Sequence, residues 1–224
     1  MISSRTVFLT GGARGIGAAI KSELTACGFN IIAPSRTELD LANPASIDAW
    51  LDANQSLTID ILINNAGINI LATLSHLTNS GWQLMLQTNL NSSLRLTQAL
   101  APAMATRGWG RILNISTIFS LVTKERRAAY SMTKAALNAL TRSAAIEFGP
   151  SGVLVNALAP GYVDTQLTRQ NNPPEVLDTI LATIPLRRMA TPVELAKIAA
   201  FLVSENNSYI TGQTIVADGG FILQ

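Results

Sequence analysis

Short apolar runs alternate with longer amphipathic stretches along this chain, and that alternation leaves few folds open. The runs are Thr6-Val7-Phe8-Leu9, Asn30-Ile31-Ile32-Ala33, Ile59-Asp60-Ile61-Leu62-Ile63, Arg111-Ile112-Leu113-Asn114-Ile115, Val153-Leu154-Val155-Asn156-Ala157 and Thr214-Ile215-Val216-Ala217. Turn-forming Gly, Pro, Asn or Asp follows most of them. Runs this short, bounded in this way, read as strands buried on both faces. Helical patterns fill the intervals at about 16–27, 44–54, 81–106, 128–148 and 192–204. Asn43 before Pro44 and Thr191 before Pro192 are cap residues followed by Pro at the first helical position. The alternation predicts an α/β chain: a doubly wound parallel sheet between two helix layers, in one domain over residues 1–224. Ligands of such sheets bind beyond the carboxyl ends of the strands. The stretch 166–190 is too long for a simple connection and predicts a lid or small helices over that end.

Composition removes several other classes. Hydrophobic residues make up 48% of the chain, and 16 Lys+Arg against 14 Asp+Glu leave a net charge of +2. That excludes disorder and gives no sign of a nucleic-acid partner. Cys27 is the only cysteine, so no intrachain disulfide can form. With His76, the only histidine, it makes no metal cluster, and no metal is expected. His76 reads as a loop residue, Cys27 as core or a helix end, and the three Trp as packing. No apolar run is long enough to span a membrane. The opening Met1-Ile2-Ser3-Ser4-Arg5 lacks the pattern of a secretory leader, so the expected location is the cytoplasm.

The first run leads into Thr10-Gly11-Gly12-Ala13-Arg14-Gly15-Ile16-Gly17. A glycine turn between a strand and a helix brings backbone N–H groups close to a pyrophosphate at the helix N-terminus. A purely structural turn is the plainer alternative. At the tip of the second run, where an Asp or Glu would bind the ribose of NAD, stand Pro34-Ser35-Arg36. No carboxylate is expected there. Arg14 and Arg36 would instead suit a 2′-phosphate, which predicts NADP(H) over NAD(H).

Tyr130 and Lys134 are four residues apart within a helical pattern, so they share a face. A free phenol is a poor base at neutral pH, and a nearby cation lowers its pKa. Such a Tyr can act as acid toward a carbonyl oxygen or as base toward an alcohol.

These motifs together resemble those of the short-chain dehydrogenase/reductase family over nearly the full length. The matching residues are Thr10 through Gly17, Asn64-Asn65-Ala66-Gly67, Asn89, Asn114-Ile115-Ser116-Thr117, Tyr130 with Lys134, Pro160-Gly161 with Thr165, and Asp218-Gly219-Gly220. The resemblance implies a Rossmann-type three-layer fold and hydride transfer with Tyr130 as proton donor or acceptor. It implies that Lys134 lowers the Tyr130 pKa and binds the nicotinamide ribose, and that Asn89 completes a proton relay. Gly11, Ala13, Arg14, Gly15, Ile16, Gly17, Ser35, Arg36, Asp40, Leu41, Asn65, Ala66 and Gly67 would line the pyrophosphate and adenosine side. Pro160, Gly161, Val163 and Thr165 would meet the nicotinamide. The family also implies a homo-oligomer, a dimer or tetramer, joined through the helices at 81–106 and 128–148 and the last strand.

Two departures stand out. The family's Ser, thirteen residues before the Tyr, is Thr117 here, with Ser116 just before it. Neighbours on an extended chain face opposite ways, so one hydroxyl should reach the substrate. Spacing favours Thr117. The second departure is a trimmed crossover: only Thr37, Glu38 and Leu39 separate Arg36 from Asp40.

Lys124-Glu125-Arg126-Arg127, just before Tyr130, reads either as a solvated loop or as a cationic rim for an acidic substrate. The expected activity is interconversion of a secondary alcohol and a ketone. Within it, 3-oxoacyl-carrier-protein reduction and sugar or polyol oxidation both stay open. A non-catalytic dinucleotide sensor of the same fold is the alternative class.

Overall fold

A computed structural model describes residues 5–223 of the chain. Met1-Ile2-Ser3-Ser4, on which most of the leader reading rests, lie outside the described residues. The elements run β1 (Thr6–Leu9), α1 (Gly15–Ala26), β2 (Asn30–Ile32), α2 (Pro44–Ala53), β3 (Ile61–Asn64), α3 (Asn79–Leu86), α4 (Ser92–Thr106), β4 (Gly110–Ile115), α5 (Ala128–Phe148), β5 (Val153–Pro160), α6 (Gln166–Asn171), α7 (Pro174–Thr183), α8 (Pro192–Val203) and β6 (Thr214–Ala217). All six strands are parallel, in the order β2-β1-β3-β4-β5-β6. The doubly wound α/β prediction is therefore met.

Alternation along each strand builds the two cores. Val7 and Leu9 of β1, with Ile61 and Ile63 of β3, pack on α1 and α8. Phe8 and Leu62 point the other way and join Ile47, Leu96 and Ala144 of α2, α4 and α5. Phe8 also stacks on Trp50, with ring centroids 4.4 Å apart. A third cluster seats the 166–190 stretch. Leu177, Ile180 and Ile184 pack on Ile118, Phe119 and Tyr162, so two short helices lie where the sequence predicted them.

The strand order reverses between β1 and β3. Relative to the common order 3-2-1-4-5-6, the β1 side is one strand short. The trimmed crossover explains this. After β2 the chain makes two turns, with Leu39 N donating to Ser35 O at 2.9 Å and Asn43 N to Asp40 O at 3.0 Å. It then enters α2 directly, so β2 is an edge strand. Among the described residues no helix is long and apolar enough to cross a membrane.

Two element boundaries correct the sequence reading. The 59–63 run is a strand only from Ile61, with Asp60 at its mouth: Asp60 N donates to Thr6 O and its carboxylate accepts from Thr6 N, each at 2.9 Å. The single helix expected at 81–106 is divided. It starts at Asn79, capped by Thr78, and a wide π turn at Gln87–Asn91 separates α3 from α4. One extra residue in a turn re-aims a side chain, and such turns recur at functional sites. The re-aimed residue here is Asn89.

Candidate active site

The turns that follow β1, β3, β4, β5 and β6 gather at one edge of the sheet. Thr10 ties the first two: its Oγ1 accepts from Asn65 N at 3.0 Å and Ala66 N at 3.1 Å. Asn65 Nδ2 returns bonds to Thr10 O at 2.9 Å and Gly11 O at 3.0 Å. Gly11 and Gly15 have φ of 68° and 55°, a region costly to other residues. A Cβ on Gly17 would stand 2.1 Å from Gly11 O. The turn is thus drawn in more tightly than any side chain allows.

α1 begins above this turn with no side-chain cap and no acid in its first turn. Ala13 and Arg14 are exposed, Gly15 and Ile16 half-buried. Free N–H groups, a positive helix end and an adjacent guanidinium fit a pyrophosphate.

At the β2 tip the structure corrects one expectation. A carboxylate is present: Glu38 folds back, and its Oε2 accepts from Ser35 N at 2.7 Å. This bond, followed by one from the Ser35 side chain, holds the Glu38 carboxyl below its usual range. The turn at Ser35–Leu39 closes the distance that sequence spacing had left open. Ser35 and Arg36 are exposed, and Arg36 lies 3.5 Å from Asp40. Leu41 is buried, and its carbonyl accepts from Gln87 Nε2 at 3.1 Å.

Asn89 is fully buried. Its Oδ1 accepts from Ile68 N at 2.8 Å, and its Nδ2 donates to Ile68 O at 2.9 Å and Thr133 Oγ1 at 3.2 Å. Lys134 is buried on α5, and its Nζ donates to Ile115 O at 2.7 Å. Burial pulls its pKa down to about 8. Asn89 and Lys134 meet at Gly67: a Cβ there would lie 3.4 Å from both Asn89 Oδ1 and Lys134 Nζ. Beneath them Asn64 Nδ2 donates to Asn114 Oδ1, and Asn114 Nδ2 to Thr141 Oγ1, each at 2.8 Å.

Tyr130 is half-buried, one turn before Lys134 on α5. Burial pushes its phenol up, while the Arg127 charge and a hydrogen bond with Thr117 pull it down. The net direction is upward. The cation acting on the phenol is Arg127, a residue the sequence reading had placed in a rim. Its spacing of three from Tyr130 was the available signal.

The two adjacent hydroxyls part as extended chain requires. Ser116 Oγ donates to Ser120 Oγ at 3.2 Å within the fold. Thr117 accepts from Phe119 N at 3.3 Å and stands close enough to the Tyr130 phenol to lower its pKa.

Beyond β5, Pro160 ends the strand, and a Cβ on Gly161 would lie 2.7 Å from Asp218 Cα. Val163 bridges to Ala190, and Thr165 caps α6 by accepting from Thr168 N at 3.2 Å. Thr165 also approaches the first turn, its Cγ2 3.5 Å from a Cβ on Gly15. His76 closes an exposed turn, and Cys27 ends α1. Both lie where they were expected.

A family model described as Enoyl-(Acyl carrier protein) reductase matches residues 32–222. Acetoacetyl-CoA reductase of Cupriavidus necator is 33% identical over 243 aligned residues, covering 98% of each chain. The chain belongs to the short-chain dehydrogenase/reductase family. As a member it is an oxidoreductase. A 3-oxoacyl-[acyl-carrier-protein] reductase of Vibrio cholerae is 33% identical, covering 99% of each chain. Among solved structures, a gluconate 5-dehydrogenase from Burkholderia cenocepacia in complex with NADP and tartrate superposes with a TM-score of 0.93. It shares 30% identity, over 98% of this chain and 96% of that one.

Proposed function

We propose that this oxidoreductase interconverts a secondary alcohol and its ketone in the cytoplasm, with NADP(H) preferred over NAD(H). One observation carries the reading. Tyr130 stands close enough to Thr117, at the end of β4, for Thr117 to lower its pKa, on the same sheet edge where Asn89 and Lys134 meet at Gly67. When bound, the nicotinamide supplies or accepts the hydride. Tyr130 gives a proton to the carbonyl oxygen or takes one from the alcohol. Thr117 holds that oxygen beside the phenol. Lys134 and Asn89 fix the ribose side and hand protons on. Gly11 through Gly17 hold the pyrophosphate, Asn65, Ala66 and Gly67 border the adenosine side, and Pro160, Gly161, Val163 and Thr165 face the nicotinamide.

Arg14 and Arg36 support the phosphate preference, as does the NADP in the Burkholderia cenocepacia enzyme. The Glu38 carboxylate opposes it from one side, yet it is engaged by Ser35 N. NADPH should bind more tightly than NADH in a fluorescence titration. Losing a charge-assisted contact costs about 1.5–3 kcal/mol. Arg36→Ala should therefore weaken NADPH by about tenfold or more and leave NADH unchanged. Tighter NADH binding by the parent chain would reverse the assignment.

The Thr117 role has its own test. Thr117→Val removes the hydroxyl at nearly constant volume, and Ser116→Ala removes one already used by Ser120. Turnover of a model ketone should fall by about tenfold or more in the first, the scale of a lost polar contact. It should change little in the second. The opposite ranking would move the role to Ser116. A homo-oligomer, dimer or tetramer, is part of the reading. It is supported by Leu94, Met132 and Ile146, which stand exposed on α4 and α5.

A further inference from the structure

The loop before α5 carries two cations that no carboxylate of the described residues pairs with. Lys124 Nζ donates to the Tyr162 hydroxyl at 3.1 Å. It lies 5.6 Å from the Tyr162 ring centroid and 5.9 Å from that of Phe119. The Arg127 guanidinium stands over the same Phe119 ring, 5.1 Å from its centroid. Arg127 is only 5% exposed, and its Nε has no hydrogen-bond partner among the described residues.

Burial without a partner sets Arg127 apart from the arginines that are engaged. Arg5, Arg36, Arg95, Arg107, Arg169 and Arg188 each pair with a carboxylate. Arg111, also 5% exposed, donates to the carbonyls of Gly110 and Asn207, each at 2.9 Å. No carboxylate of the described residues pairs with Arg127 or Lys124. Neighbouring Arg126 adds charge of the same sign. A guanidinium withdrawn from water without a counter-charge is costly, and the cost is recovered when an anion arrives.

A cavity of about 450 Å³ opens beside Lys124 and Tyr162. Val122, Ile180, Phe221 and Ile222 give it apolar walls, Thr123, Thr179 and Thr183 add hydroxyls, and among the described residues no carboxylate lines it; Arg127 is outside this lining. We infer that Lys124 and Arg127 hold a free carboxylate whose aliphatic chain fills this cavity, so that the substrate is an aliphatic hydroxy or oxo acid. The guanidinium fork matches a carboxylate, and the walls match a hydrocarbon chain. A thioester lacks that charge at the acyl end. The carboxylate itself is a spectator. This inference rests on Tyr130 handling the reacting oxygen, three residues from Arg127 on the same helix face.

Calorimetric titration of the full chain with hexanoate, and with uncharged hexanamide of the same shape, tests it. Hexanoate should bind at least tenfold more tightly. Lys124→Gln and Arg127→Met should each lose at least tenfold, and Arg127→Lys should fall between. Lys124 is exposed, so its variant keeps the fold even if Arg127→Met does not. Equal affinity for the two probes, no binding of either, or undiminished hexanoate binding in the variants would overturn the inference. Binding here is read without turnover. A negative result leaves the chemistry at Tyr130 standing, and failure to reduce any ketone leaves the titration valid.

Discussion

Tyr130→Phe should lower kcat by about 10²- to 10⁴-fold, the range that a positioned acid or base contributes. The substitution keeps the ring, which packs against the cluster that contains Ile118, Phe119 and Tyr162. It removes only the hydroxyl that stands beside Thr117. Cofactor affinity should change by less than about tenfold, since one neutral hydrogen bond is worth about 1 kcal/mol. The pH profile adds a second readout. In the oxidation direction the parent's kcat/KM should rise with pH as the phenol ionises, whereas the variant's residual rate should show no such rise. Stopped-flow turnover with a cofactor titration on the same sample separates chemistry from binding. A variant within tenfold of the parent would remove Tyr130 from proton transfer. Full biological activity in that variant would instead favour a sensing role.

Much of this was legible in the chain because parallel strands buried on both faces must be apolar throughout. Val7-Phe8-Leu9 and Ile61-Leu62-Ile63 serve both cores, and no polar residue could be spared at those positions. The glycines were legible for a related reason. Gly17 faces Gly11 O so closely that no other residue fits. What escaped depended on one residue of rotation or one turn of chain. A π turn leaves the apolar period of 81–106 almost intact, so the pattern could not show that Asn89 had been turned to Ile68. Glu38 reaches Ser35 N only because the backbone reverses between them, and the sequence shows their spacing but not the reversal. Arg127 was read as a rim charge because runs of charge usually are. Its burial depends on Phe119, which arrives from the end of β4.

Lys134→Met should act on activity and stability in opposite directions. Lys134 fixes the ribose side and hands protons on, so kcat/KM should fall by about 10- to 10²-fold, the scale of a lost charge-assisted hydrogen bond. The stability effect follows from burial. In the folded chain the Lys134 pKa is drawn from 10.5 to about 8. Below pH 8 the amine is charged in both folded and unfolded chains, and burying it costs stability. Between pH 8 and 10.5 the unfolded chain holds a proton that the folded chain has released, so stability rises with pH. The full difference corresponds to about 3 kcal/mol, at about 1.4 kcal/mol per unit. Tyr130 works the other way, because its phenol is pushed above 10.0; it lowers stability only above pH 10. The window from pH 8 to 10 therefore belongs to Lys134. Met fills the same channel without charge but forfeits the bond to Ile115 O, a loss of about 1 kcal/mol. The variant should thus be more stable than the parent at pH 7, by about 1–2 kcal/mol. That advantage should shrink steadily as pH rises to 10. Urea unfolding followed by circular dichroism at pH 7, 8, 9 and 10 measures both slopes. Parallel slopes for parent and variant would mean that Lys134 carries no buried charge at neutral pH.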